Sequence, residues 1–241
     1  MKAEHGVTNV VIHRSEDRGR AQLGWLDARH SFSFGEYYDP RKMGYRSLRV
    51  INQDIVSPGK GFGTHPHRSM EIFTVPIRGQ LAHKDSLGNG RVIEAGDFQY
   101  MSAGTGVMHS EFNPSDSEST ELLQIWIEPT EPGGAPRYED RKAIDQAGES
   151  GLKLLASGTG RDGSVEVRQV VEIFVGRSIE ESSNWGIPWD AKHRYVWIQV
   201  IEGVVSVAGH EVRRGDALAF EGSAFELEAS EGAYFLLFRL S

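Results

Sequence analysis

The chain has 241 residues, and its 39% hydrophobic and 25% charged residues are typical of a globular protein with one large all-β domain or two small ones. Its formal net charge of −8 argues against a nucleic-acid partner, because affinity for phosphates requires clustered Lys and Arg. The chain has no cysteine, which excludes disulfides and thiolate zinc sites. The first thirty residues carry charges throughout and no long apolar stretch, so we expect no signal peptide, no membrane span and a cytoplasmic location.

Short apolar or alternating runs recur along the chain, each bounded by Gly, Asp, Asn or Pro. Many short strands at such spacing predict an all-β barrel or sandwich. Helical periodicity is almost absent, and only Tyr138–Gln146 and Ser178–Ser183 are predicted as short helices. The predicted strands include Val7–Ile12, Ser47–Ile51, Ile72–Ile77, Phe98–Met101, Leu122–Ile127, Leu152–Leu155, Val165–Val175, Tyr195–Ile201 and Phe235–Leu240.

The Pro- and Gly-rich segment Pro129–Pro136 follows a strong predicted strand and is a candidate boundary between domains. A similar cadence of strand, glycine turn, strand and Gly-Asp occurs on both sides of it, with Gly79 and Gly203 at the equivalent turns. We therefore predict a duplicated barrel, with a first domain at residues 1–130 and a second at 131–241.

Two pairs of candidate metal ligands stand out, His65 with His67 and His109 with Glu111. In an extended strand, residues two apart point to the same side, so each pair can present both side chains to a barrel interior. Neutral imidazole and carboxylate suit iron, manganese, nickel, copper, cobalt or zinc. Three imidazoles and one carboxylate leave positions open on an octahedral ion, which favours an open catalytic site over a closed structural one.

Glu71 is a further candidate, because residues 64–77 can be interpreted as one regular strand. In that case Glu71 shares a face with His65 and His67, since all three positions are odd-numbered. Binding of both Glu71 and Glu111 would neutralise a divalent ion and fill its site. Strand parity alone leaves the role of Glu71 open.

The spacing of these residues resembles the two cupin motifs. Gly59-(x)5-His65-Pro-His67-(x)3-Glu71-(x)7-Gly79 is similar to the first motif, with one extra residue before the last glycine. Gly106-(x)2-His109-(x)3-Asn113 is similar to the second, but the preceding segment is two residues longer and lacks the usual proline. These departures resemble the pirin branch of the two-barrel cupins, especially bacterial pirin-like proteins described as quercetin 2,3-dioxygenases. Further segments similar to that family are Gly24–Asp27, Ser31–Phe34, Tyr37–Pro40, Leu48–Asn52 and His83–Ser86.

The resemblance implies two cupin barrels in tandem, with one divalent transition metal in the N-terminal barrel. It implies His65, His67, His109 and Glu111 as the ligands, and Fe(II) is the metal we expect. Glu111 is also expected to act in catalysis as a proton acceptor. Glu71, which binds the metal in many cupins, is expected outside the ligand set, as a second candidate for a catalytic role.

The second half contains His193 and His210 but no His-x-His pair. Where the first half has residues 64–67, the second has Asn184-Trp185-Gly186-Ile187. We therefore expect a degenerate second barrel without a metal site.

Other polar and aromatic residues have two interpretations each. His83 can face the metal pocket or form a structural bond with Asp85. Gly104–Gly106 is more typical of a tight turn that aims His109 than of a phosphate cradle, because no helix follows it. Core packing and a lid over a planar substrate are both open for Trp25, Phe32, Phe34 and Tyr37.

The resemblance implies a metal-dependent dioxygenase that cleaves a flavonol such as quercetin with O2 to a depside and carbon monoxide. The alternative is a metal- and redox-sensing regulatory protein with incidental oxygenase activity, which ranks second because the sequence has no basic patch. A nonoxidative isomerase or sugar-binding cupin is a third alternative, because the fold hosts many chemistries.

The expected partners are a small planar phenolic substrate and O2, without nucleic acid or membrane, and the chain is expected to be a monomer.

Overall fold

The computed structural model describes residues 6–142, 151–179, 181–188, 190–222 and 224–241. Within these ranges the chain forms twenty-two strands, two short 3-10 turns at Ser15–Asp17 and Arg161–Gly163, and no α-helix. No helical segment in the described ranges has the length and apolar character needed to cross a membrane. The predicted all-β class is confirmed.

The strands follow one another closely along the chain. The first twelve are β1 Thr8–His13, β2 Gly19–Gln22, β3 Leu26–His30, β4 Leu48–Val56, β5 Gly61–His67, β6 Glu71–Arg78, β7 Gln80–Asp85, β8 Gly90–Glu94, β9 Asp97–Ser102, β10 Val107–Phe112, β11 Thr120–Ile127 and β12 Arg137–Lys142. The remaining ten are β13 Gly151–Ser157, β14 Val165–Glu166, β15 Val171–Arg177, β16 Ser183–Ile187, β17 Tyr195–Glu202, β18 Val204–Val207, β19 His210–Arg213, β20 Ala217–Glu221, β21 Phe225–Ala229 and β22 Tyr234–Leu240.

Contacts divide the described residues into two units. The first unit contains residues 18–142 together with 167–169. The second contains residues 6–17, 151–166 and the described residues from 170 onward. This grouping differs from a single cut of the chain after residue 130, because β1 pairs with β20 and therefore joins the sheet of the second unit.

Each unit is built from one seven-stranded and one four-stranded sheet. The first unit has the strand orders β12-β9-β6-β11-β4-β3-β2 and β5-β10-β7-β8. The second has β1-β20-β17-β22-β15-β13-β14 and β16-β21-β18-β19. The two sets correspond strand by strand, apart from both edge strands of the large sheets, which are β12 and β2 in the first unit and β1 and β14 in the second. The predicted duplication of an all-β unit is confirmed.

Residues 64–77 do not form one strand, so the parity argument for this segment is wrong. β5 ends at His67 and β6 begins at Glu71, and Ser69 between them has a positive φ of 48°. β5 belongs to the four-stranded sheet and β6 to the seven-stranded sheet. The interruption resets the alternation of side chains, so odd numbering no longer implies a shared face.

The two predicted short helices are absent from the described residues. Residues 138–142 belong to β12, which pairs with β9 along its whole length, and residues 143–146 lie outside the described ranges. Residues 178, 179, 181 and 182 have no helical structure, and β16 begins at Ser183. Pairing with a sheet neighbour overrides the weak helical periodicity of these short segments.

The second unit has a continuous apolar core between its two sheets. Val205, Val207 and Leu227 of the four-stranded sheet belong to the same buried cluster as side chains from β17, β20 and β22. Phe220 and Phe225 meet edge to face in this cluster, with ring centroids 5.0 Å apart. Burial of apolar area is therefore sufficient to hold this unit together.

The interior face of the first unit differs in that it carries a row of buried polar side chains. Thr74 on β6 pairs with Gln124 on β11 and with Gln99 on β9, and Asn52 and Asp54 on β4 continue the same face. All five side chains are buried. Because buried polar groups cost free energy unless they are paired, such an interior indicates a functional site rather than a packing core.

Gly61 lies where β5 passes very close to β10, and its substitution tests this register. A Cβ at Gly61 would lie 2.1 Å from the backbone oxygen of Glu111 and 2.6 Å from Cα of Phe112. Gly61→Ala should lower the free energy of unfolding by about 1–3 kcal/mol, because the two backbones must separate. Urea unfolding measures this loss. Gly63→Ala is the matched control, since no heavy atom beyond its chain neighbours lies within 4 Å of a Cβ there. An equal loss of unfolding free energy in both variants would contradict the register.

Candidate metal centre

β5 and β10 bring three histidines together. His65 and His109 are cross-strand partners, and their Nε2 atoms lie 3.0 Å apart. The ring centroid of His67 is 4.8 Å from those of both other histidines. One nitrogen of each residue lies within 4.8 Å of the other two. The expected convergence of the two histidine-bearing motifs is therefore present in the structure.

A β-bulge in β5 fixes the orientation of His65. His109 pairs with His65 whereas Glu111 pairs with Phe62, so β5 contains one extra residue in this interval. The carbonyl oxygen of Gly63 accepts a hydrogen bond from Nδ1 of His65 at 2.7 Å. Because this bond requires the proton on Nδ1, Nε2 keeps its lone pair for a metal.

Glu111 lies on the same face of β10 as His109, and its side chain is almost completely buried at 3% exposure. Its carboxylate lies within 4.8 Å of ligand atoms of His109 and His83. Nε2 of Gln124 donates to Oε2 of Glu111 at 3.2 Å. The hydroxyl of Thr74 lies 3.3 Å from Oε1 of Glu111 and 2.7 Å from Oε1 of Gln124. Its single hydrogen can serve one of these two acceptors at a time.

His83 lies against the pocket and also forms the bond with Asp85, so both interpretations of this residue hold. Its Nε2 donates to the Asp85 carboxylate at 3.1 Å, and its Nδ1 accepts from Nε2 of Gln99 at 3.2 Å. The hydroxyl of Tyr138 donates to Oε1 of Gln99 at 3.4 Å. The ring centroids of His83 and His109 are 5.3 Å apart. His83 therefore supports His109 by packing, while its own nitrogens are already occupied.

Burial sets the protonation states of the candidate ligands. Burial and the neighbouring His65 lower the pKa of His67 to about 4, and burial and the neighbouring histidines lower that of His109 to about 3. Both rings are neutral at pH 7 and can offer a lone pair. Burial raises the pKa of Glu111 to about 7. Burial and the charge of Glu111 also raise the pKa of Asp54 to about 7.

This donor set fits a divalent transition metal. Nε2 of His67 is buried and has no hydrogen-bond partner among the described residues, and the Nε2 atoms of His65 and His109 face each other at 3.0 Å. A buried polar atom without a partner costs about 1–3 kcal/mol, and a cation would bind such lone pairs and neutralise the Glu111 carboxylate. Imidazole and carboxylate are also the ligands that metals such as iron and nickel accept.

The structure places Glu71 outside this group. Its carboxylate is buried and accepts hydrogen bonds from the hydroxyls of Tyr100 and Ser102, the latter at 2.6 Å, and from the backbone N–H of Arg168 at 3.2 Å. Glu71 pairs with Ser102 on β9 and lies on the face of β6 opposite Thr74. Glu71 thus anchors backbone in this unit, and its predicted catalytic role stays a prediction.

An aromatic wall stands beside His67. Trp126 meets the ring of His67 edge to face at 4.9 Å, and Phe34 meets Trp126 in the same way at 5.3 Å. The sequence pattern does not mark Trp126 as a site residue, because its strand has the continuous apolar character of a core strand. Only the register of that strand beside the ligands identifies it. The other lid candidates pack elsewhere, Trp25 on Phe62, Phe32 in the core and Tyr37 on His30.

The equivalent positions of the second unit are apolar. Strand order matches β16 with β5 and β21 with β10. Trp185 and Leu227 are partners there, as His65 and His109 are in the first unit. Ile187 follows Trp185 by two residues on β16, and all three side chains belong to or pack on the apolar core.

One group of potential ligands in the second unit is an ion-pair network. Glu172, Asp190 and His193 each have a ligand atom within 4.8 Å of the others. The carboxylate of Glu172 already binds Arg161 at 2.7 Å and Arg239 at 3.0 Å. Asp190 lies 2.6 Å from Nδ1 of His193. Two guanidinium groups repel a further cation, so this cluster is a structural feature.

Comparison with known proteins adds to this geometry. Residues 12–127 match the family described as Pirin, and residues 154–240 match the quercetinase C-terminal cupin domain. The quercetin 2,3-dioxygenase of Escherichia coli K12 is 44% identical over 232 residues, which cover 96% of this chain and 98% of that protein. The chain belongs to the pirin family. Further bacterial relatives of this pirin, at 36–39% identity, carry the same enzyme name, all of them provisionally.

Solved structures show the same architecture. This pirin is similar to the crystal structure of the bacterial pirin YhhW from Escherichia coli in complex with nickel(II), with a TM-score of 0.90 and 43% identity over 96% of this chain and 98% of that one. It also shares its fold with a quercetin 2,3-dioxygenase from Acinetobacter baumannii, with a TM-score of 0.74 and 23% identity over 96% of this chain and 86% of that one. The family and the tandem cupin fold are therefore confirmed.

The burial of Glu111 predicts a pH-dependent stability difference in the metal-free protein. Its folded-state pKa of about 7 exceeds its ordinary value of 4.5. Between these values the folded chain keeps a proton that the unfolded chain loses, so the contribution of Glu111 to stability falls as the pH rises. Glu111→Gln should therefore gain up to ~3 kcal/mol relative to the parent over this range. Urea unfolding in the presence of a chelator measures this gain.

The same pair of proteins provides the control when metal is present. With saturating metal, Glu111→Gln should be the less stable protein, because it has lost an anionic ligand. A stability difference that is independent of both pH and metal would contradict the assignment of Glu111.

Glu71→Gln should keep the metal and lose stability. The carboxylate lies outside the ligand group, but an amide cannot accept the same hydrogen bonds, so the free energy of unfolding should fall by about 1–3 kcal/mol. Metal content by atomic emission and urea unfolding of the metal-free protein provide the two measurements. Glu128→Gln, in an exposed ion pair with Arg49 at 3.7 Å, is the control. Loss of stoichiometric metal in Glu71→Gln would place Glu71 among the ligands and contradict this assignment.

Proposed function

We propose that this pirin is a metal-dependent dioxygenase that cleaves a flavonol such as quercetin. The observation that carries the proposal is the grouping of His65, His67 and His109, with Glu111 beside His109, in a chain 44% identical to a protein named quercetin 2,3-dioxygenase. In this reaction both atoms of O2 enter the depside, and one carbon of the flavonol leaves as carbon monoxide.

Fe(II) is the proposed metal, and the nickel(II) in the related YhhW supports a divalent transition ion of this kind. His65, His67, His109 and Glu111 would hold it through imidazole nitrogens and a carboxylate oxygen. When bound, the ion supplies Lewis-acid activation of the 3-hydroxyl of the flavonol and open positions for small ligands.

Glu111 is the proposed acceptor of the proton from the 3-hydroxyl. Burial raises its pKa to about 7 in the metal-free protein, and a bound cation would favour the ionised form, which is the form that accepts a proton. When Glu111 is ionised, the hydroxyl of Thr74 can donate to its Oε1; when Glu111 is protonated, Thr74 donates to Gln124 at 2.7 Å. The Thr74 hydroxyl can therefore donate a hydrogen bond in either protonation state of Glu111. Glu71 lies on the opposite face of β6, which makes it the weaker candidate for this step.

The surroundings of the ligands suit a planar aromatic substrate. Trp126 and Phe34 form the wall beside His67, and Trp126 packs on an apolar cluster that includes Ile72 and Met101. Apolar walls next to a few polar groups are typical of sites that bury the rings of a ligand and bind its oxygen atoms.

The test is turnover of quercetin by protein reconstituted separately with Fe(II), Mn(II), Ni(II), Co(II), Cu(II) and Zn(II). We expect metal-dependent O2 uptake with one carbon monoxide released per O2. Glu111→Gln at matched metal content should lower kcat by about 100-fold or more, because it cannot accept the proton. Absence of carbon monoxide with every fully occupied metal would reject flavonol cleavage and leave the metal centre in place.

A further inference from the structure

Arg168 makes an unusual set of hydrogen bonds within the first unit. Its backbone N–H donates to Oε2 of Glu71 at 3.2 Å. Its guanidinium group donates to the hydroxyl of Ser102 at 3.2 Å and to the carbonyl oxygens of Gly133 and Ala135 at 2.9 and 2.6 Å. The segment 167–169 groups with this unit although its neighbours in sequence do not. Arg168 therefore fastens the loop 133–135 to the anchor formed by Glu71.

The loop 133–135 continues this network towards the metal ligands. The backbone N–H of Thr105 donates to the carbonyl oxygen of Gly134 at 2.8 Å, and that of Gly133 donates to the hydroxyl of Ser69 at 3.2 Å. Ser69 in turn donates its backbone N–H to the carbonyl oxygen of Gly104 at 2.9 Å. The loop thus holds two turns, at residues 68–70 and 103–106, and these turns also bind each other.

Close packing leaves this loop little freedom. A Cβ at Gly134 would lie 2.7 Å from the guanidinium carbon of Arg168, and a Cβ at Gly104 would lie 2.3 Å from the carbonyl oxygen of Gly134. Both glycines also have positive φ, at 81° and 49°. The contact between loop and turn is therefore backbone against backbone and cannot relax by a side-chain rotation.

The two turns connect directly to the ligand strands. His67 is the last residue of β5, so the turn 68–70 follows it without an intervening residue. The turn 103–106 leads into Val107, the first residue of β10, and His109 lies two residues further. A shift of either turn must move one imidazole relative to the other.

We propose that Arg168 is a positioning residue of the metal centre. It touches none of the ligands, and it acts by clamping the loop 133–135 against the two turns that set the separation of His67 and His109. The Glu71 carboxylate, a ligand in the first cupin motif of other proteins, serves here to anchor the Arg168 segment. The inference rests on the metal centre and is independent of the flavonol.

The experiment compares Arg168→Gln with Arg168→Lys and with the control Arg41→Gln. Arg41 is exposed and pairs locally with Asp39, so its loss leaves the clamp intact. The dissociation constant for Ni(II) is measured by competition with a chromophoric chelator, and the d–d spectrum of the Co(II)-loaded protein reports the ligand geometry. Arg168→Gln should bind Ni(II) about tenfold more weakly and change the spectrum, Arg168→Lys should recover part of both, and Arg41→Gln should match the parent.

An unchanged dissociation constant and an unchanged spectrum in folded Arg168→Gln would overturn the proposal. If this variant does not fold, Ser69→Ala provides the second test, because it removes only the link between the loop and the turn after His67. It should weaken Ni(II) binding about threefold and shift the Co(II) spectrum; parent values for both would also overturn the proposal. Metal alone is the probe, so the outcome does not depend on whether quercetin is a substrate.

Discussion

Burial of the Glu111 carboxylate beside the neutral imidazoles of His83 and His109 is the interaction on which the site depends. Taking an ionised carboxylate out of water costs several kcal/mol unless an opposite charge compensates it. Among the described residues, the side chains that bind Glu111, Thr74 and Gln124, are neutral. Asp54 adds a second acid to the same interior. A cation bound at the candidate metal centre would supply this counter-charge and offset the cost of the buried acids.

The two units share one topology, but the side chains on the inner faces of their barrels differ in polarity. Thr74 and Gln124 are cross-strand partners on β6 and β11, and the equivalent partners on β17 and β22 are Ile198 and Leu237. In the second unit the interior is filled by side chains that need no partner, and apolar burial is sufficient for folding. Strand order therefore explains the shape of both barrels, and the side chains on the inner face alone decide which one has a site.

The ligand pairs could be predicted from sequence because the alternation of a strand is a local property that spans three residues. His65 with His67 and His109 with Glu111 each lie within one strand, and the structure groups His109 with both histidines of β5 and, separately, with Glu111. The face of Glu71 was predicted wrongly, because the interruption depends on Ser69 adopting a positive φ, which a serine seldom does. No local sequence pattern predicts such a turn.

Other features depend on contacts between distant segments and could not be predicted. Tyr138 starts a segment with weak helical periodicity, but its pairing with Met101 on β9 makes the segment a strand. Arg168 lies far along the chain from Glu71, and only the folded backbone shows that the two residues meet. Trp126 has the sequence pattern of a core residue, and only the structure shows that its ring packs against His67.

The cysteine-free composition has a chemical consequence for a centre of this kind. Thiolate ligands are oxidised in steps to sulfenic and sulfinic acids when reactive oxygen forms beside them, and a centre of imidazoles and carboxylate has no thiolate to lose in this way. The sulfur atoms near the centre are thioethers, since Met70 and Met101 pack in the apolar cluster next to Trp126. Oxidation of sulfur in this region should therefore appear as methionine sulfoxide, which would place a polar group in an apolar cluster and loosen the packing of Trp126.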